Sequence, residues 1–149
     1  MNNGKRRFHI RPYRRSDLND ILELMSDLGY PASLDKLETR MERMEKLNDY
    51  ATFMAELDGE VAGMMGLRCV YAYELDEPAV QISLLVTKQK HQGQGVGKAL
   101  IDFAERWALQ FGAGSMVLTS GIKPERDAAH RFYTHMGFAV NGYRFVKKI

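Results

Sequence analysis

The chain has 149 residues, 45% hydrophobic and 27% charged, a balance that supports an ordinary globular core and excludes a disordered or fibrous chain. Its formal net charge of +2, with basic residues spread along the sequence, excludes the concentrated basic face that a nucleic-acid binder needs. The single cysteine, Cys69, excludes an intrachain disulfide and a cysteine metal cluster, and no apolar run is long enough to cross a bilayer, so no membrane association is expected.

Met1-Asn2-Asn3-Gly4-Lys5-Arg6-Arg7 carries charge and no apolar leader, which makes a cytoplasmic protein the expectation. This basic run, Arg14-Arg15 and Lys147-Lys148 read as solvated charge. Phe8 and Ile10 alternate with polar neighbours and predict a first strand ending near Pro12. Ser16 is placed as a helix N-cap, with Asp17 in the first turn. Leu18, Ile21, Leu22, Met25 and Leu28 follow at helical spacing until Gly29 stops the run. A second helix is predicted after Ser33, with Leu37, Met41 and Met44 on its apolar face and a charged opposite face. The methionines read as core filler.

From Thr52 the pattern changes to strands. Thr52–Leu57 and Val61–Val70 flank the hairpin signal Asp58-Gly59, and a further strand spans Ala79–Thr87. The glycine-rich stretch Gln92–Gly97 leads into a helix with Val96, Leu100, Phe103, Ala104 and Trp107 on one face. Ser115–Thr119 is predicted as a short buried strand, Asp127–Met136 as a helix ended by Gly137, and Phe138–Val146 as the last one or two strands. No repeat or linker interrupts the chain, so residues 1–149 read as a single domain. The order β-α-α-β-β-β-α-β-α-β predicts an α/β (α+β) fold, with a mixed, mainly antiparallel central sheet and helices on both faces.

The stretch from Leu85 to Lys98 carries the most chemistry. A helix N-terminus leaves backbone N–H groups unpaired and partly positive. Glycines let that backbone turn tightly and approach an anion, so a strand, a glycine loop and a helix make a phosphate cradle. Lys98, just inside the helix, is placed to add a cation. The P-loop pattern fails twice, because Ala99 follows Gly97-Lys98 and Gln92 stands where its first glycine belongs. The dinucleotide pattern fails on spacing and on its position late in the chain.

Gln92-x-x-Gly95-x-Gly97 resembles the Q/R-x-x-G-x-G/A loop of the GNAT (Gcn5-related N-acetyltransferase) superfamily, with Thr87 and Gln89 departing from the usual lead-in. Downstream, Ala129-His130-Arg131-Phe132-Tyr133 through Gly137-Phe138 resembles the A-x-x-F-Y-x-x-x-G-F signature of the same superfamily. The resemblance implies acetyl-CoA as cosubstrate and no metal. It implies cofactor contacts at Leu85, Val86, Thr87, Gln92, Gly93, Gln94, Gly95, Val96, Gly97 and Lys98. It also implies a catalytic Tyr133, the general acid that protonates the departing CoA thiolate, for which a phenol is chemically suited. Many family members carry an Asn where this chain has Arg126. His130 and His135 lack the i, i+4 spacing of a helical metal pair.

The strand Val80-Gln81-Ile82-Ser83-Leu84-Leu85 carries no acid where many family members place a glutamate base. Glu74, Asp76 and Glu77, or a water held by Gln81 or Ser83, remain the alternatives. The oxyanion donor is expected to be a backbone N–H of the strand ending at Leu85-Val86-Thr87. Leu57 to Leu67, Ala129 to Tyr133 and Tyr143-Arg144-Phe145 are most similar to small-molecule acetyltransferases, in particular those acting on aminoalkylphosphonates. A basic front of Arg11, Arg14, Arg40, Arg43 and Arg68 would suit an anionic amine. The expected activity is N-acetylation of a small-molecule amine. The alternatives are a protein or peptide N-acetyltransferase and a non-catalytic acyl-CoA sensor. A homodimer is the expected assembly.

Overall fold

The computed structural model describes residues 7–149, so the basic pair Lys5-Arg6 lies outside the described residues. The chain forms two compact units, the first ending at Val117 and the second spanning Leu118–Ile149.

Five strands lie side by side in chain order: β1 (Phe8–Pro12), β2 (Tyr50–Leu57), β3 (Glu60–Val70), β4 (Ala79–Thr87) and β5 (Ser115–Leu118). The first three pairings are antiparallel, and the sheet as a whole is mixed. Asp58 and Gly59 close the β2–β3 hairpin with φ values of 52° and 86°, the left-handed pair that a two-residue turn requires. β5 is an edge strand and is only partly covered, not buried as its sequence suggested, because it has a strand neighbour on one side alone.

Alternation along the strands separates two helical layers. Met54 and Met64 face α1 (Leu18–Leu28) and α2 (Leu34–Glu45), where Ile21, Leu24, Leu37 and Met41 complete a buried cluster with Val86. Their neighbours Phe53 and Gly63 face the other way. Phe53 packs its ring against Phe103 and Trp107 of α3 (Val96–Gln110), at centroid distances of 4.7 and 6.3 Å. A Cβ at Gly63 would lie 2.8 Å from Val96 Cγ1 and 3.1 Å from the Val86 carbonyl oxygen. This glycine therefore lets the start of α3 sit directly on the sheet.

Gly29 ends α1 at φ 99°, and the Ser33 hydroxyl accepts the Lys36 N–H at the start of α2, both as the sequence indicates. Ser16 does not cap α1. It lies inside a single 3₁₀ turn over Arg15–Asp17, and Asp17 takes the N-cap position. The Asp17 carboxylate turns back to accept the Arg14 N–H at 2.9 Å and both terminal nitrogens of Arg11 at 2.8 and 2.9 Å, while Arg11 Nε donates to Glu56 at 2.6 Å. An arginine fork holding a nearby carboxylate outweighs the weaker cap of a serine hydroxyl.

Burial pushes the Asp17 carboxyl up, but the Arg11 and Arg14 contacts outweigh it and hold the group below the ordinary carboxylate value. A depressed carboxylate contributes stability above its unfolded pKa and loses it as pH falls through the folded one. Asp17→Asn is expected to cost about 1.5–2 kcal/mol of unfolding free energy in urea at neutral pH. The gap to wild type should close below about pH 4. A gap unchanged with pH would contradict a charge-based role.

The second unit holds a 3₁₀ turn at Pro124–Arg126 and α4 (Asp127–His135). The strand or strands expected over Phe138–Val146 are absent: residues 138–149 are irregular. Aromatic and β-branched residues supply β propensity, but a strand exists only where another strand takes its backbone hydrogen bonds.

Candidate active site

The expected cofactor residues of the first unit form one continuous path. Leu85, Val86 and Thr87 end β4, and a 3₁₀ turn at Gln89–His91 follows. Gln92, Gly93, Gln94 and Gly95 make the loop, and Val96, Gly97 and Lys98 form the first turn of α3. Gly93 and Gly95 have φ values of 75° and 90°, which l-residues with side chains rarely adopt. Gly95 is the helix N-cap, its carbonyl taking the first helical bond from the Ala99 N–H at 3.0 Å. No side chain caps this N-terminus and no acid stands in its first turn. Its donors and the positive end of the helix dipole are left for an anion. Lys98 Nζ donates to Asp102 one turn further on, at 2.8 Å, so the expected cation of this loop is already paired on an exposed helix face.

The entry to the loop is tied to α1 by contacts that the sequence does not announce. Lys88 N–H donates to the Ala62 carbonyl oxygen at 2.8 Å, and its side chain, only 5% exposed, reaches Asp20 at 2.6 Å and Glu23 at 3.2 Å. Burial pulls the Lys88 ammonium down, but the two carboxylates prevail and hold it above its ordinary value. The next amide, Gln89 N–H, donates to Asp27 Oδ2 at 3.0 Å.

β4 carries a second feature missing from the sequence reading. The register pairs Gly66 with Leu84 and Leu67 with Ile82, so Ser83 is an extra residue without a partner on β3. A Cβ at Gly66 would lie 2.8 Å from Ser83 Oγ. A glycine inside a strand is the available signal for such a bulge. Bulges break the ladder locally and re-aim backbone groups, which suits the strand from which an oxyanion donor is expected. Ser83 and Gln81 stand where an acid is lacking, and Glu77 lies beside Gly114 at the start of β5, where a Cβ on that glycine would be 3.4 Å from the Glu77 side chain.

Tyr133 lies on α4 in the second unit, its ring centroid 5.6 Å from that of Phe132 and 6.1 Å from that of Phe138. Gly137 turns the chain at φ 97°, and the Phe138 N–H returns to the Tyr133 carbonyl oxygen at 3.0 Å, which fixes that ring pair. Burial lifts the Tyr133 phenol above its ordinary value, against a smaller opposing effect of the Arg126 guanidinium. Arg126 therefore stands beside the tyrosine. His130 Nε2 lies 2.7 Å from the Gly121 carbonyl oxygen and must donate to it, since that oxygen can only accept. Among the described residues no three His, Cys, Asp or Glu side chains gather as a metal-ligating group. Among the same residues no helix is long and apolar enough to cross a membrane.

Of the basic front, Arg11 is fully engaged by Asp17 and Glu56, and Arg68 stacks over the Tyr50 ring at 5.5 Å. Arg11 is therefore no free cation for an anionic amine, whereas the exposed Arg68 keeps its charge.

Comparison with known proteins gives a family from sequence and a similar fold from shape. Residues 18–138 match the acetyltransferase (GNAT) family. The chain is 31% identical over 127 residues to the uncharacterized N-acetyltransferase YhdJ of Bacillus subtilis, across 85% of this chain and 87% of that protein. It is 34% identical over 96 residues to an aminoalkylphosphonate N-acetyltransferase of Salmonella typhimurium, across 64% of this chain and 61% of that protein. Its fold is similar to that of an aminoglycoside N-acetyltransferase solved in complex with CoA, with a TM-score of 0.81 at 20% identity and coverage of 100% and 99%.

Proposed function

Because the chain belongs to the acetyltransferase (GNAT) family, we propose that it moves the acetyl group of acetyl-CoA directly to a primary amine of a small molecule. The observation that carries this reading is the uncapped N-terminus of α3 behind Gly93 and Gly95, a backbone cradle for the CoA pyrophosphate. Gln92 to Lys98 hold the phosphates, and the end of β4 at Leu85, Val86 and Thr87 pairs with the amide-bearing arm. The family match crosses the boundary between the two units, which supports reading residues 1–149 as one catalytic domain.

The neutral amine nitrogen attacks the thioester carbonyl carbon, and a backbone N–H of β4 stabilises the oxyanion. As the tetrahedral intermediate collapses, the C–S bond breaks and the CoA thiolate takes the phenolic proton of Tyr133. The new ammonium loses its excess proton to solvent, and solvent reprotonates the phenolate. No carboxylate is assigned as base, so the amine is taken up as its neutral fraction. The aminoalkylphosphonate relative supports a small amine as acceptor.

Thiol release from acetyl-CoA across aminoalkylphosphonates, aminoglycosides, polyamines, amino acids and lysine peptides tests this reading. Turnover confined to small amines is expected. Turnover confined to lysine peptides, or binding of acetyl-CoA without turnover on any amine, would overturn it.

The lifted Tyr133 phenol adds a pH dependence. The protonated form is the active one, and its loss begins only as pH rises through a value above 10. With a non-titrating amine analogue, kcat should stay level between pH 7 and 9 and fall beyond about 10. A descending limb centred below pH 9 would assign the general acid elsewhere.

A further inference from the structure

We infer that three acids of α1, Asp20, Glu23 and Asp27, act with Lys88 as a clamp that presets the glycine loop for the CoA pyrophosphate. The inference rests on the reading of that loop as the cofactor cradle. Asp20, Glu23 and Asp27 are spaced i, i+3 and i+7, so they line one stripe of α1 beside the buried Ile21 and Leu24 and the partly buried Leu28. Two of them hold the Lys88 ammonium, at 2.6 and 3.2 Å, and the third accepts the Gln89 N–H at 3.0 Å. These contacts fall on the two residues at which the chain leaves β4.

The Asp27 contact supplies an N-cap that the turn over Gln89–His91 lacks from its own N-cap residue, Lys88. The downstream bonds follow from it: His91 N–H to the Lys88 carbonyl oxygen at 2.9 Å, then Gln92 N–H to the Gln89 carbonyl oxygen at 3.3 Å. Gly93 and Gly95 come next, and glycine loses more freedom on ordering than any other residue. Fixing the chain immediately before them lowers the entropy that phosphate binding must still overcome. The buried Lys88 cannot itself serve as a phosphate ligand while both carboxylates hold it, so it is a positioning residue.

Asp27→Ala removes the turn cap at an exposed position, and Lys88→Met keeps the length and packing of the stem. Each is expected to raise the KM for acetyl-CoA roughly tenfold while kcat at saturation stays within about twofold of wild type. Amide exchange over residues 89–95 of the cofactor-free protein should quicken in both. A purely structural role would instead lower the melting temperature and the active fraction, leaving KM unchanged; that result overturns the clamp. Gly95→Val serves as the control. If it weakens acetyl-CoA binding while both clamp variants bind like wild type, the clamp is wrong and the loop reading stands. If all three bind like wild type, the loop reading fails and takes the clamp with it.

Discussion

Tyr133→Phe is expected to slow turnover roughly 10²–10⁴-fold at saturating acetyl-CoA, with cofactor affinity kept within about twofold. The substitution removes one oxygen and its proton. The ring that remains still meets Phe132 and Phe138, and the return bond from the Phe138 N–H goes to the main chain of residue 133, so α4 and its C-terminal turn keep their shape. What disappears is the donor for the departing thiolate, together with any pH limb that titration of the phenol produces. Because burial lifts that phenol, the wild-type group is protonated throughout the neutral range and always ready to donate. Unchanged turnover in the variant would remove Tyr133 from the mechanism. A loss confined to KM would make it a binding residue.

Gly95→Val is expected to weaken acetyl-CoA binding roughly 10–100-fold, measured by calorimetry, through backbone strain of about 1–3 kcal/mol. Gly95 is the α3 N-cap at φ 90°, where a β-branched residue is a severe outlier. The strain is in the backbone from the first added carbon, since a Cβ there would lie 3.4 Å from Phe8 Cζ, an ordinary contact. The loop must change its dihedrals, and the N–H groups that face an anion turn with it. Gly93→Ala offers a graded comparison. Its φ is 75° with nothing within 4 Å of a Cβ, and alanine tolerates the left-handed region better than valine, so a smaller loss is expected. Equal affinity in wild type and Gly95→Val would count against the phosphate cradle.

The parts of this fold that depend on short-range chemistry were legible in the sequence. The Asp58-Gly59 hairpin, the Ser33 cap, the Gly29 stop and the strand Ala79–Thr87 each follow from a few adjacent residues. Ser16 gives way to Asp17 at the cap because the partner of the Asp17 carboxylate is Arg11, itself held by Glu56 from a distant strand. The Ser83 bulge is a property of the β3–β4 register, and a lone Gly66 hints at it without locating it. The Lys88–Asp20 pair joins residues 68 apart in sequence, which no local pattern can reveal. Phe138 to Val146 shows the opposite case: its aromatic and β-branched residues favour a strand, but a strand also needs a neighbour, and local composition carries no information about one.

The central claim is that acetyl passes from CoA to an external amine. It is tested most directly by incubating the enzyme with acetyl-CoA deuterated in the acetyl group and the best amine of the panel, then following both products by mass spectrometry. Deuterated N-acetyl amine should appear one for one with free CoA thiol, with no labelled protein residue at any time. Thiol release without labelled amine, or label accumulating on the protein before reaching the amine, would contradict direct transfer.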